Sequence, residues 1–338
     1  MKQIKYLLPI VAIVLILASC TQKNKYITNQ GLVYGTIYHM TYESPNGENM
    51  KPEIDALLDT LGNSVSTFVP SSTISKVNKN EEPKLDPDFL KVFNKAQQVS
   101  KITGGAFDVT VAPMVNAWGF GFENKENITP ELIDSLKQLV GYKKVHIENG
   151  KFVKEHPNTM LDFSAIAKGY ACDKVGEFLK MKGCKNYMVE IGGEVVAKGT
   201  NEEGDYWNIG ISEPDDDELV SNQKLNAIVH LKDMALATSG NYRNFYVKDG
   251  VKYAHEINPK TGYPIQTSVL STTVLAKDCM TADAFATAFM VCGLEKAEAI
   301  ANADKNIEVY FIYSGKDGKF KEYISSGFKS LLIKQFDQ

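Results

Sequence analysis

Between Asp278 and Glu295 the chain carries a single charged residue, Asp283, inside a run from Met280 to Cys292 that is apolar on nearly every side of a helix. Such a helix is buried, and a buried carboxylate needs a partner. Thr287 lies four residues on, one turn along the same face, so the carboxylate and the hydroxyl point together. That pair can hold a hard cation; the competing reading is an aspartate paired with a lysine or a backbone amide. A second segment, Leu161 to Tyr170, puts Lys168 in the first turn of a predicted helix, where the dipole disfavours a cation. A bound anion such as a phosphate, held by the lysine and the free backbone amides together, would remove the conflict. The alternative is a lysine whose head lies in solvent. Small residues on either side, Ala165, Ala167 and Gly169, let a ligand approach the backbone closely. Among the five histidines, His255 stands before an Asn-Pro-Lys-Thr-Gly turn, where an imidazole can face a pocket and act as a base near neutral pH, or simply lie at the surface.

These residues must be positioned by a mixture of helices and strands. Asp86-Pro87 and Thr129-Pro130 are cap-then-proline helix starts, the first opening a helix to Ile102; Glu53 to Leu61 also has helical spacing. A helix over Ala165 to Met181 is expected behind a Ser164 cap, and the Met280 to Cys292 helix ends at Gly293. Gly35 to Tyr42, Tyr187 to Val196, Trp207 to Ile211, Asn226 to Leu231, Ser268 to Ala276 and Ile307 to Tyr313 read as strands. Polar clusters fall at glycine-rich stretches read as turns: Thr103 to Asp108, Glu190 to Glu194, Thr238 to Tyr242 and His255 to Gly262. No repeat interrupts the body, which reads as one α+β unit.

Composition narrows the function classes. Of 338 residues 43% are hydrophobic and 23% charged, the balance of a globular chain with room for one or two cores. Lys plus Arg number 37 against 41 Asp plus Glu, so no broad basic surface is available and nucleic acid is not an expected partner. The P-loop, the G-x-G-x-x-G turn, the G-x-S-x-G elbow and the zinc-protease helix are all missing from the sequence. At the start, Lys2 and Lys5 precede an apolar run from Tyr6 to Ala18, too short at 13 residues for a spanning helix of about 20. Leu17-Ala18-Ser19-Cys20 resembles a bacterial lipobox. Residues 1–19 are therefore expected to be a lipoprotein signal peptide, 20–30 a tether lipidated on Cys20, and 31–338 the folded domain. An exported, membrane-anchored protein facing the periplasm or cell envelope follows. Cys172, Cys184, Cys279 and Cys292 match no zinc spacing and read as buried free thiols rather than disulfides.

Taken in order, Gly35-Thr36, Ser66-Thr67-Phe68 with Ser75 to Asn78, Gly104 to Thr110, Asp162 to Gly169, Val189 to Glu194, Ser239 to Tyr242, His255 to Gly262 and Asp283 to Thr287 resemble the ApbE family, the FAD:protein FMN transferases. The resemblance implies an ApbE-like α+β fold with T-fold-like subdomains around a central FAD cleft, and Mg²⁺ on the FAD diphosphate. It implies metal ligands at the Ala165 carbonyl, Asp283 and Thr287, with Lys168 on the FAD. Tyr34, Phe68, Asp108 and Ile257 complete the cofactor-binding set it implies; Asp283 is one catalytic candidate, and His255 the other, because a hydroxyl nucleophile wants a base. The implied partner is an acceptor flavoprotein with a target threonine, which receives FMN while AMP is released. The sequence departs from the family pattern at Tyr34, where methionine is frequent, and at Glu256, where an aliphatic residue is more usual. A Mg²⁺-dependent FAD pyrophosphatase, giving FMN and AMP, would use the same residues, and a non-catalytic FAD-binding lipoprotein is the reading from outside the enzymes.

Overall fold

Alternation of apolar residues at every second position gives a strand one buried face, as over Thr36–Ser44, whereas Val269–Ala276 is buried at nearly every position and packs on both faces. The computed structural model describes residues 25–123, 125–214, 224–241, 245–248 and 251–336. In chain order it begins with strands β1 (Lys25–Val33) and β2 (Thr36–Ser44) and helices α1 (Lys51–Val65), α2 (Thr73–Asn78), α3 (Pro87–Thr103), α4 (Ala112–Trp118) and α5 (Pro130–Lys137). The hairpin β3 (Val145–Glu148) and β4 (Lys151–Lys154), helix α6 (Ala167–Met181), and strands β5 (Tyr187–Ile191), β6 (Glu194–Lys198), β7 (Trp207–Ser212), β8 (Leu225–Leu231) and β9 (Met234–Gly240) follow. Then come strands β10 (Phe245–Lys248), β11 (Val251–Ala254) and β12 (Val269–Ala276), and helices α7 (Cys279–Cys292) and α8 (Leu294–Ala303). The chain closes with β13 (Glu308–Ser314), β14 (Phe320–Ile324), α9 (Ser326–Lys329) and β15 (Leu332–Gln335).

One antiparallel sheet of eight strands, in the order β1-β2-β5-β6-β9-β12-β13-β14, runs through the protein. Ala235, Ala237, Val274, Ala276, Val309 and Phe311 point from its centre into a core shared with α1, α3, α6 and α7. Their neighbours Leu236, Leu275, Tyr310 and Ile312 point to the opposite face. There they meet Trp207, Ile211, Ala227, Val229 and Leu231 of the three-stranded sheet β15-β8-β7, and Phe328 of α9. A third apolar cluster, around Met114, Trp118, Ile133 and Ile257, joins α4 and α5 to the segment after β11. The α+β class expected from sequence is therefore what the chain forms.

Several local expectations hold. Asp86 caps α3 through the amides of Asp88 and Phe89, and Thr129 caps α5 through that of Leu132. The described cysteines are free thiols, three of them buried and Cys292 half-buried. Four expectations need correction. Residues Lys25 to Gln30, assigned to the tether, belong to β1, because β2 offers them a full ladder of backbone partners. The strand expected over Tyr187 to Val196 is broken by Gly192 and Gly193, whose positive φ values of 64° and 102° make a two-residue hairpin turn. Ser164 does not cap α6, which starts two residues later than expected, at Ala167; the Ser164 hydroxyl instead donates to Asp162. Thr238, Ser239 and Gly240 lie in β9 rather than in a turn, and Tyr242 lies outside the described residues.

Candidate active site

The site is built where α6 meets the N-terminal half of α7. Helix α7 starts with free amides that must be satisfied. Asp278 accepts from the Thr281 amide at 2.8 Å, and Asp173 of α6 reaches across to accept from Cys279 at 2.8 Å and Met280 at 2.9 Å. The two helices can come this close because residue 169 is glycine: a Cβ there would lie 2.4 Å from the Cys279 carbonyl oxygen and 2.7 Å from the Asp283 Cβ. The contact brings the Gly169 amide within 2.9 Å of Asp283 Oδ2, to which it donates.

Asp283 is buried, as its apolar helix requires. Burial pushes its pKa above the ordinary carboxylate range, against the pull of Lys168 and the Gly169 amide. Beside it, the Lys168 ammonium donates to Glu194 Oε1 at 3.0 Å; the Lys168 side chain is 30% exposed and that of Glu194 5%. Burial opposes the lysine's charge, but Glu194 and Asp283 outweigh it and hold the Lys168 pKa above the usual lysine range. Burial pushes Glu194 up to about 7, with Lys168 opposing. Its second oxygen, Oε2, is buried without a hydrogen bond among the described residues. The lysine head is thus drawn inward to two carboxyl groups and does not lie in solvent. Glu194 was visible in the sequence only as the residue after a Gly-Gly turn; its side chain is aimed at Lys168 because the hairpin between β5 and β6 faces α6.

Thr287 sits one turn beyond Asp283, its hydroxyl 3.2 Å from that of Ser239 on β9. Ala165, half-buried, lies in the turn that leads into α6. Among the described residues no three acidic, histidine or cysteine side chains converge as a metal cage. The donors present still suit a hard ion that keeps water or phosphate oxygens: a buried carboxylate with one oxygen bound to an amide, and a hydroxyl one helical turn on.

The other candidates are held by partners of their own. His255 lies with Nδ1 3.3 Å from Glu256 Oε2 and its ring edge-on to Phe120, centroids 6.5 Å apart. Ile257 is buried in the third apolar cluster and bridges to Pro264, so its side chain serves packing. Phe68 is 67% exposed, edge-on to Phe122 at 6.5 Å, and with Gly121, Phe122 and Glu123 lines an open cavity of about 730 Å³. One loop therefore serves two of them, with Phe120 against His255 and Phe122 against Phe68. Asn116 holds that loop through the Phe122 amide and the Glu123 carboxylate, and neither phenylalanine was singled out from sequence. Asp108 is fully engaged by the protein: Oδ1 accepts from the amide and hydroxyl of Thr110, and Oδ2 from the Tyr142 amide at 2.7 Å. Tyr34 sits in the two-residue turn between β1 and β2, and its hydroxyl donates to the Leu58 carbonyl at 2.6 Å. Cys20 lies outside the described residues.

Comparison with known proteins bears on this arrangement as a whole. The family model described as ApbE family matches residues 34–311, which include every residue of the helix junction and the candidates Tyr34, Phe68, Asp108, His255 and Ile257. The chain belongs to the ApbE family. It is 40% identical over 332 residues to the FAD:protein FMN transferase of Vibrio cholerae, covering 96% of this chain and 98% of that one. To that of Haemophilus influenzae it is 39% identical over 336 residues, covering 95% and 96%. Among solved structures, the flavin transferase ApbE from Vibrio cholerae superposes with a TM-score of 0.82 over 91% of this chain and all of that one. The apo flavinyl transferase ApbE of Pseudomonas stutzeri gives 0.81 at 31% identity, over 93% and 98%. The likeness to these ApbE structures therefore extends well beyond the segments that carry the motifs.

Proposed function

We propose that this chain is an FAD:protein FMN transferase that joins FMN to a threonine of an acceptor flavoprotein. The observation that carries the reading is the junction of α6 and α7, where Lys168, Asp283 and Thr287 are gathered in a chain alike over nearly its whole length to transferases of that name. In the reaction, the threonine hydroxyl oxygen bonds to the flavin-side phosphorus of FAD. The bond from that phosphorus to the bridging oxygen breaks, and its electron pair leaves with AMP. Mg²⁺ held by Asp283, Thr287 and the Ala165 carbonyl would offset the negative charge of the diphosphate. Lys168, already drawn toward the same point, holds a diphosphate oxygen and opposes the charge that builds there. His255 takes the hydroxyl proton, since an alcohol is a poor nucleophile at neutral pH. Phe68 and Phe122 offer aromatic surface to a flat ring. Cys20 carries the lipid that anchors the protein in the cell envelope; among the described residues no helix is long and apolar enough to cross a membrane.

The test incubates the protein with FAD, an acceptor domain bearing the threonine, and Mg²⁺ or a chelator, and follows AMP and covalent flavin. AMP released in step with flavin on the acceptor, and only with metal, is the expected result. AMP and free FMN without acceptor would make the protein a pyrophosphatase, and intact FAD throughout would leave it a binding protein.

A further inference from the structure

Glu256 is the buried charge that the proposed reaction does not use. Its side chain is 3% exposed, and neither carboxylate oxygen makes a hydrogen bond among the described residues. The backbone does not force this placement. The Glu256 carbonyl accepts from the Ile265 amide at 2.9 Å, and the next residue bridges to Pro264, contacts that any side chain at 256 permits. Burying an unbonded carboxylate is costly, and an aliphatic side chain would fill the same space at lower cost. What the carboxylate does meet is the His255 ring, Oε2 lying 3.3 Å from Nδ1, with the Phe120 ring T-shaped to it, centroids 6.5 Å apart.

We infer that Glu256 is the positioning residue for His255, holding a proton on Nδ1 so that Nε2 is left as the acceptor for the threonine hydroxyl. An imidazole with a free choice of tautomer spends part of its time with Nε2 protonated and unable to act as a base. A carboxylate against Nδ1 removes that choice, fixes the ring plane, and stabilises the imidazolium that forms as the hydroxyl proton moves to Nε2. Burial pushes the Glu256 carboxyl above the ordinary carboxylate range, and the His255 ring beside it opposes that push. This inference rests on the reading of His255 as the base of flavin transfer.

The test compares the parent chain with Glu256→Ile and the isosteric Glu256→Gln. Ring-nitrogen spectra of the ¹⁵N-labelled protein, with His255 assigned by loss of its signals in His255→Ala, report the tautomer without any activity. The Nδ1–H form is expected to dominate in the parent and to lose that dominance in both variants. Both are expected to lose kcat by about 10–100-fold while KM for FAD stays within about threefold. Glu256→Ile is expected to resist urea at least as well as the parent, since a buried charge has gone. An unchanged tautomer, or kcat within about twofold of the parent in Glu256→Gln, overturns the inference. So does a loss of urea resistance and FAD affinity together in both variants, which marks a structural role. If the parent itself transfers no flavin, the functional reading fails, and the nitrogen spectra still decide whether Glu256 sets the tautomer.

Discussion

At the scale of the residue, Asp283 and His255 are expected to fail differently if the proposed reaction holds. Asp283 is buried among apolar neighbours and bonded to a backbone amide, so Asp283→Ala removes the one acidic side chain buried in α7. Turnover is expected to fall by about 10²-fold or more, with the response to added Mg²⁺ lost as well; a titration of AMP release against the metal checks both. His255 is half-exposed, and its neighbours Glu256 and Phe120 lie outside α6 and α7. His255→Ala is therefore expected to keep FAD affinity, measured by flavin fluorescence, while transfer drops by about 10²–10⁴-fold. Of these residues, Asp283 was legible in the sequence because one carboxylate in an apolar helix is conspicuous. Glu194 was not, since nothing along the chain says that a glutamate after a turn will face a lysine 26 positions earlier.

At the scale of the element, the contact between α6 and α7 decides the geometry. Gly169→Ala places a methyl group 2.4 Å from a backbone oxygen that cannot retreat, so the helices must part. A loss of about 1–3 kcal/mol in denaturant unfolding is expected, together with weaker FAD binding, because the amide that holds Asp283 moves with the helix. The start of α7 carries a pH dependence of its own. Asp173 bonds two amides there, yet burial pushes its pKa up to about 7. A carboxyl group with a raised pKa keeps its proton longer in the folded chain than in the unfolded one. Its contribution is therefore full at low pH and is lost as pH rises from about 4 through about 7. Asp173→Asn is expected to flatten that part of the curve, so the urea midpoint of the variant gains on the parent's between pH 4.5 and pH 7.5.

For the whole molecule, the eight-stranded sheet separates two jobs. The face toward α6 and α7 backs the candidate site, and the face toward the small sheet packs on the second apolar cluster. Phe328 is fully buried on that second face, its ring 5.6 Å from that of Tyr310. Phe328→Ala is expected to cost about 3–5 kcal/mol of stability, while kcat per folded molecule, measured well below the unfolding temperature, stays unchanged. A fall in kcat would show that the two faces are coupled through the sheet.

Taken by itself, the sequence determined what depends on near neighbours along the chain. Helix starts at Asp86 and Thr129, the apolar α7 with its one carboxylate, the strand alternation and the ordered motifs of the ApbE family all lie within short windows, where period and capping act directly. Only the tertiary structure decided what depends on distant segments. It showed that Gly169 is needed for a helix contact, that Lys168 is drawn inward by Glu194 and Asp283, and that Thr238 to Gly240 are strand. It also showed that Lys25 to Gln30 pair with β2 and that one loop brings phenylalanines to both His255 and Phe68. Each of these is set by a partner many residues away, and a strand ladder, a close glycine contact or a buried charge leaves no local period to read.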